Sequence, residues 1–375
     1  MLNVPKLFNP KDKRSVLIST SLLLLGLLIL PFLVEAGLGK SWLRIIDFAL
    51  LYIMLALGLN IVVGYAGLLD LGYVAFYAVG AYCWALLASP HFDLHLPFWI
   101  ILPLGALLAA LFGMLLGTPT LRLRGDYLAI VTLGFGEIIR IFLNNMNAPI
   151  NITNGPQGIT LIDPFSIAGM SFGKTQSILG MNLSSPHLYY YLFLLFTAMV
   201  IFVSLRLEDS RIGRAWAAIR EDEMAASASG INTRNIKLLA FAMGASFGGL
   251  SGGLFASFQG FVSPESFNLM ESIMILSMIV LGGMGNIRGV ILGAILVTII
   301  PEALRYTGTL QNALIGRVVV DPADLRMLLF GIALVLMMLF RPAGLLPSRQ
   351  RRREFADNDA RDSIEAVVEE DTSNA

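Results

Sequence analysis

Long apolar stretches, broken by short clusters of glycine, proline and charge, run through most of the chain. A helix needs about 20 mostly apolar residues to cross the hydrocarbon of a bilayer. Ten stretches approach that length: 16–36, 45–64, 68–88, 98–117, 127–146, 188–205, 238–259, 270–282, 289–304 and 326–340. The third carries Asp70 and several glycines, and the eighth is short and runs into Gly282-Gly283-Met284-Gly285. Both are candidates for broken or re-entrant helices, which a bilayer admits only where protein surrounds the free backbone. The pattern predicts an all-α polytopic membrane protein. Residues 1–15 form an N-terminal segment, 16–347 a transmembrane domain, and 348–375 a tail expected to be disordered.

Composition agrees with the pattern. Of 375 residues, 56% are hydrophobic and only 14% charged. A water-soluble globule cannot hide that much hydrocarbon, and a disordered chain shows the opposite bias. Net charge is zero, which leaves no basic footprint for nucleic acid. A single cysteine excludes an intrachain disulfide and a cysteine-built zinc site, and three histidines leave little for metal chemistry. No cofactor is expected.

Positive charge orients the spans. With a cytosolic N-terminus and ten crossings, one side receives Lys6, Lys11, Lys13, Arg14, Arg122, Arg124 and Arg288. It also receives six basic residues of 206–237 and six of 341–361, which makes 19 of the 26 in all. Both termini are therefore expected in the cytosol. Trp42 and Trp99 open the second and fourth spans at the outer interface, where an indole fits best. The first span imitates a secretory signal, but its apolar run from Val16 to Val34 is longer than the ~7–15 residues of such a signal, and it reads as a retained helix. In the tail, the arginines from Arg349 to Arg353 hold the last helix in place, and the acidic end is solvated.

Several motifs imitate chemistry. Gly169-Met-Ser-Phe-Gly173-Lys174-Thr175 is one residue short of a phosphate-binding loop and has no strand before it. Gly249-Leu250-Ser251-Gly252-Gly253 fits a nucleophile elbow and resembles the serine motif of intramembrane rhomboid proteases. A serine nucleophile needs a nearby base, and His91, His95 and His187 all fall in an outer loop or at a span entrance. Packing explains the glycines better: Gly244, Gly248 and Gly252 recur at four-residue spacing, a ridge that lets helices approach closely in lipid. Gly285, Gly289 and Gly293 repeat the device near the ninth span.

Charges inside spans are costly and functional by default. Glu137 and Arg140 lie three apart on one helix face, either as a functional pair or as an interfacial anchor. Asp70, Glu271 and Glu302 read as structural charges at span edges. For a polar translocation path, Asp70, Thr132, Glu137 and Asn144 are candidates by type and depth.

The most informative segment is 206–237, the one sizeable loop placed inside between spans. Trp216, Ile219, Glu223 and Ala226 fall at helical spacing, and Gly230 would end that helix as a C-cap. This predicts a short surface helix with an apolar-aromatic stripe, suited to docking in a partner's groove. Its latter part, Ala225-Ala226-xxx-Gly230, resembles the loop by which ABC-importer permeases engage their ATPases, with the family's glutamate replaced by Met224 and Glu223 one residue earlier.

Beyond that loop, the chain resembles the LivM-like permease subunits of branched-chain amino-acid ABC importers. The resemblance rests on Gly64-Tyr-Ala-Gly-Leu-Leu-Asp70-Leu-Gly-Tyr73, the run from Leu121 to Arg140 including Gly125-Asp126-Tyr127, and Asn154-Gly155-Pro156-Gln157-Gly158-Ile159. It continues through Gly213-Arg214-Ala-Trp216, Arg220-Glu221-Asp222-Glu223, Gly260-Phe-Val-Ser-Pro264-Glu265, Leu281-Gly-Gly-Met-Gly285 and Arg341-Pro342-Ala-Gly344-Leu-Leu-Pro347, in family order over about 45–347.

The resemblance implies an ABC-importer permease fold in the bacterial inner membrane. Its partners would be a second related permease, two cytosolic ATPases and an extracytoplasmic amino-acid-binding protein, and ATP would bind the ATPases alone. Gly213, Trp216, Arg220, Glu221, Glu223 and Gly230 would then couple ATP hydrolysis to transport. Rival readings are an importer for urea, amides or other amino acids, a serine protease built on Ser251, and a stand-alone proton-coupled carrier.

Overall fold

The computed structural model describes residues 13–120, 123, 125–167, 170–178, 181–304 and parts of 328–347. Residues 1–12, Arg122, Arg124, Gly169, most of the stretch 326–340 and the tail from 348 lie outside the described residues. The other nine apolar stretches all carry helices: α1 (Lys13–Leu38), α2 (Lys40–Asn60), α3 (Val74–Leu87), α4 (Phe98–Thr120), α5 (Asp126–Asn145), α6 (Ser185–Glu208), α9 (Thr233–Gln259), α10 (Leu269–Gly282) and α11 (Ile287–Leu304). Two short helices, α7 (Arg211–Glu221) and α8 (Glu223–Ala228), lie between α6 and α9. Among the described residues, five helical stretches are long and apolar enough to cross a membrane: Lys40–Tyr65, Phe98–Thr120, Ser185–Glu208, Thr233–Gln259 and Pro264–Gly282.

The packing is organised by the glycines of α9. Gly244 lies against Gly58 of α2 and Val62 of the π-helical turn that follows it, where a β-carbon would sit 2.6 Å from the Val62 side chain. Gly252 lies against α3, with the Tyr77 carbonyl oxygen 2.1 Å from where its β-carbon would be. Gly249 faces the Gly105 carbonyl and Ala109 of α4. The predicted ridge of Gly244, Gly248 and Gly252 closes on α2 and α3, and Gly249 beside it completes the seam with α4. Backbone approaches of this kind are what drive helix association where lipid removes the hydrophobic incentive. Ser251 belongs to the same seam. It is fully buried, and its hydroxyl donates to the Phe247 and Gly248 carbonyls at 2.8 and 3.0 Å.

The second glycine series splits in two. Gly289 and Gly293 of α11 seat against Gly282 and Met278 of α10, as a packing ridge should. Gly285 is not part of it. It precedes α11 in the connection, and its N–H donates to Asn60 Oδ1 at 2.9 Å. The segment around Gly344 closes this end of the hairpin, with Leu345 and Leu346 N–H groups donating to the Leu281 and Gly282 carbonyls, each at 2.9 Å.

Of the two suspected breaks, the third stretch is interrupted, while the eighth is an unbroken short helix lengthened by the turn before it. α2 runs into a wide π-helical turn, Ile61–Tyr65, and helix does not resume until Val74. α10 has 14 residues and follows a short 3-10 turn, Pro264–Ser266. The tryptophans open their helices as expected, since Trp42 and Trp99 lie in the first turns of α2 and α4.

At the far end of α9 from α7, three small antiparallel pairs fold over the helix ends. Strand β1 (Ile159–Thr160) pairs with β6 (Phe261–Val262), β2 (Ser166–Ile167) with β3 (Met170–Ser171), and β4 (Gln176–Ile178) with β5 (Met181–Leu183). His95, in the α3–α4 loop, ties this layer down. Its Nδ1 meets the Asp163 carboxylate and its Nε2 lies 3.2 Å from Asp93.

Two predictions follow from this packing. Gly252→Ala should remove folded protein from membranes or cost at least about 1–3 kcal/mol of stability, whereas Gly134→Ala, which meets nothing within 4 Å, should leave thermal stability in detergent unchanged. Hydrogen bonding to Asp163 raises the His95 pKa above its ordinary 6.5. The tie is then complete below that pH and is lost as pH rises through the raised value. Hydrogen-exchange protection around 93–95, taken relative to the intrinsic rate at each pH, should accordingly be greater at mildly acidic than at alkaline pH, and His95→Gln should abolish that difference in protection.

Candidate functional site

Serine caps start the connector between α6 and α9. Ser210 Oγ accepts from the Ile212 and Gly213 N–H groups, both at 3.1 Å, the usual device at a helix N-terminus. Gly213 is required by space: a β-carbon there would lie 2.2 Å from the Leu207 carbonyl oxygen, so only glycine lets α7 fold back on the end of α6.

The predicted single helix is two. Asp222 takes an extended conformation and caps α8 with its own carboxylate, accepting from Met224 and Ala225 N–H at 2.8 and 3.0 Å. Aspartate competes with the helix for local N–H groups in this way, so the periodicity was right but the helix restarts at 222. Gly230 follows α8 at φ +84°, the left-handed conformation that makes glycine the preferred helix terminator.

The orientation of this connector corrects the docking expectation. The apolar-aromatic stripe does not face a partner, because Trp216, Ile219 and Ala226 are buried against the chain's own helices. Trp216 is fully buried, and its Nε1 donates to the Ile236 carbonyl at 2.8 Å, locking α7 to the first turn of α9. Arg220 Nη1 donates to the Gly64 carbonyl at 2.5 Å, and its stem lies over Gly67, where a β-carbon would be 2.8 Å from Arg220 Cγ. Glu223 Oε1 accepts from Lys237 Nζ at 2.6 Å, a second tie to α9. The opposite side is open. Glu221, Asp222, Ala225 and Gly230 are exposed, and Met224 is 74% exposed. The sequence placed these residues in one short connector, and the structure turns Trp216, Ile219 and Ala226 inward rather than outward. The pairing of Lys237 and the capping by Asp222 were missed, because no spacing in the sequence marks either.

The four path candidates do not form one cluster. Asp70 and Thr132 do meet. Both are fully buried, Asp70 Oδ1 accepts from Gly72 N–H at 2.9 Å, and Thr132 Oγ1 accepts from Leu71 N–H at 3.0 Å. Asp70 Oδ2 has no partner among the described residues. Glu137 points elsewhere, roughly 140° around α5 from Thr132, and binds Arg140 through contacts of 2.5 to 3.1 Å. Arg140 in turn reaches Glu265 at 3.1 Å, so the pair anchors α5 to the turn before α10. Asn144 stands apart near the end of α5, with a buried Oδ1 that has no partner among the described residues. Tyrosines carry polar contacts that sequence reasoning passed over. Tyr52 donates to Glu271 Oε2 at 3.1 Å, and Tyr73 donates to the Gly244 carbonyl at 2.9 Å.

Two substitutions test these ties, with uptake measured at matched membrane abundance. Trp216→Ala should cost about 3–5 kcal/mol locally and sharply reduce transport. Thr132→Val should strand the Leu71 N–H at about 1–3 kcal/mol, while Thr132→Ser should behave as the parent. Equal stability of the valine and serine variants would refute the assigned role.

A family model described as "Branched-chain amino acid transport system / permease component" matches residues 41–338. The chain is 44% identical to the high-affinity branched-chain amino acid transport system permease protein LivM of Escherichia coli K12, over 92% of this chain and 78% of that protein. It is 41% identical to LivM of Salmonella typhimurium LT2, over 95% of this chain and 82% of the relative. To the permease LivH of Escherichia coli K12 it is 25% identical, over 79% of this chain and 91% of the relative. No solved structure matches.

Proposed function

From its membership in the branched-chain amino acid permease family, we infer how this chain carries out its part in transport. It is a permease of a branched-chain amino acid importer, passing leucine, isoleucine or valine into the cell. In our reading it crosses the bacterial inner membrane ten times, with both termini in the cytosol, and the seventh and eighth helices lie on the cytosolic face. It pairs with a second, related permease. Two cytosolic ATPases supply the energy, and an extracytoplasmic binding protein delivers the substrate.

The observation that carries this reading is the two-sided connector. One side is bolted to α9 and to the end of α2 through Trp216, Glu223 and Arg220. The other side presents Glu221, Met224 and Gly230 to whatever lies beneath. A rigid element fixed to two spans and open to a partner transmits displacement rather than absorbing it. A pull on α8 therefore reaches α9, around which α2, α3 and α4 are packed, and the π-helical turn that ends α2.

The path for a zwitterion needs polar lining in an otherwise apolar bundle. Asp70, Thr132, Glu137 and Asn144 remain our candidates, with Asp70 and Thr132 as one group and Glu137 and Asn144 contributing separately along α5.

Uptake of labelled leucine into cells or proteoliposomes containing the whole importer tests the function. It should require ATP hydrolysis, persist when the proton gradient is collapsed, and be suppressed by excess isoleucine or valine but not by urea. Replacing exposed Gly230 with valine should abolish uptake with normal membrane abundance. Uptake that survives ATPase inactivation would refute the reading.

A further inference from the structure

Next to the connector lies a cavity of about 510 Å³, walled by the π-helical turn, the α6–α7 turn, α7, the α10–α11 connection and Pro347. Its charge is lopsided. Among the described residues that line it, Arg214 and Arg220 enter from α7 and Arg288 from the first turn of α11, against the carboxylate of Glu208. Arg220 is tied to the Gly64 carbonyl, and Arg214 Nη1 donates to the Asp209 carbonyl at 2.9 Å, while Arg214 and Arg288 are exposed.

We propose that this cavity receives an acidic side chain of the ATPase that docks on the connector, an inference that rests on α7 and α8 being the coupling element. Three features select that occupant. The cavity is lined by α7 itself, so it continues the surface that α8 opens to a partner. The exposed guanidinium groups of Arg214 and Arg288 favour an anion, and a carboxylate matches their planar fork in two-point hydrogen bonds. Among the described lining residues, apart from glycines, only Tyr65, Ala217 and Pro347 offer apolar surface, too little to hold the acyl chains of an anionic lipid. A free inorganic anion would meet exposed arginines in water, where such contacts are weak and salt-screened. A side chain on a docked protein is held at the arginines by the rest of the interface, which excludes water from the contact.

The consequence is mechanical. Arg220 holds the carbonyl of Gly64, in the wide turn at the end of α2. A carboxylate entering the cavity competes for that guanidinium, so docking of the motor loosens the end of α2 as well as moving α8.

The test uses the assembled importer in mild detergent, with ATPase retention titrated at low and high salt. R214E/R288E should weaken ATPase binding about tenfold or more, and R214K/R288K should retain most of it. Both positions are exposed, so unchanged membrane abundance and elution profile should accompany the loss. A Glu→Arg or Asp→Arg change on the ATPase that restores binding to R214E/R288E would identify the inserted group. Parental affinity in R214E/R288E would overturn the proposal. So would thermal stabilisation of the isolated permease by inorganic phosphate or phosphatidylglycerol vesicles that depends on Arg214 and Arg288 while ATPase retention does not. A parental chain that retains no ATPase at all would instead overturn the coupling reading, an outcome distinct from retention that ignores the arginines.

Discussion

Close backbone approach along α9 is the constraint on which the rest of the structure depends. In lipid, burying a leucine against another helix gains little over burying it in acyl chains, so association must come from dispersion, polar contacts and tight fit. Glycine allows that fit by removing the atom that would hold helices apart. Gly80 of α3 and Gly249 of α9 meet so closely that a β-carbon on the first would lie 2.0 Å from the carbonyl of the second. Such a seam leaves no slack. When α9 moves, α2, α3 and α4 must move with it or separate, and this makes α9 a suitable receiver for force delivered at its first turn.

A small set of polar and aromatic ties joins the connector to that turn. The Trp216 indole fills a closed site and spends its N–H on a carbonyl of α9, so the joint has both volume and direction. The Glu223–Lys237 pair adds a tie in which Lys237 is buried, and breaking such a pair leaves a charge without its partner. Arg220 spans to a different element, the end of α2. The connector is thus joined to the bundle at two places rather than hung from one, and small displacements of α8 are shared between them.

Much of this was legible in the sequence because membrane helices obey length, and glycine ridges obey periodicity. Nine of the ten apolar stretches carry a helix where the pattern put one, and Gly244, Gly248 and Gly252 do what their spacing suggested. Facing was not legible. A stripe with Trp216, Ile219 and Ala226 looks the same whether it docks to a partner or to its own chain, since hydrophobic spacing reports that a face is buried and not by what. The two-helix connector escaped because Asp222 offers its carboxylate as a cap, an event decided by local geometry that spacing does not register. Gly285 was misplaced for a similar reason. It continues the four-residue series, yet sits before the helix, where its N–H rather than its missing side chain is used.

The broken third span shows how sequence and structure account for one another at the finest scale. Interrupting a helix inside the bundle frees backbone N–H groups, and without water each must find an acceptor. Leu71 finds Thr132 Oγ1, Gly72 finds Asp70 Oδ1, and Val74 finds Ser272 Oγ. Three short polar side chains, from the break itself, α5 and α10, thus compensate for one missing stretch of helix. This accounts for Asp70 and Thr132 without any substrate. It also states what a role in translocation must use: Asp70 Oδ2, the carboxylate oxygen that the break leaves without a partner among the described residues. Replacing Asp70 with asparagine keeps an acceptor for Gly72 and changes the charge, so it separates scaffolding from passage in a way that alanine cannot.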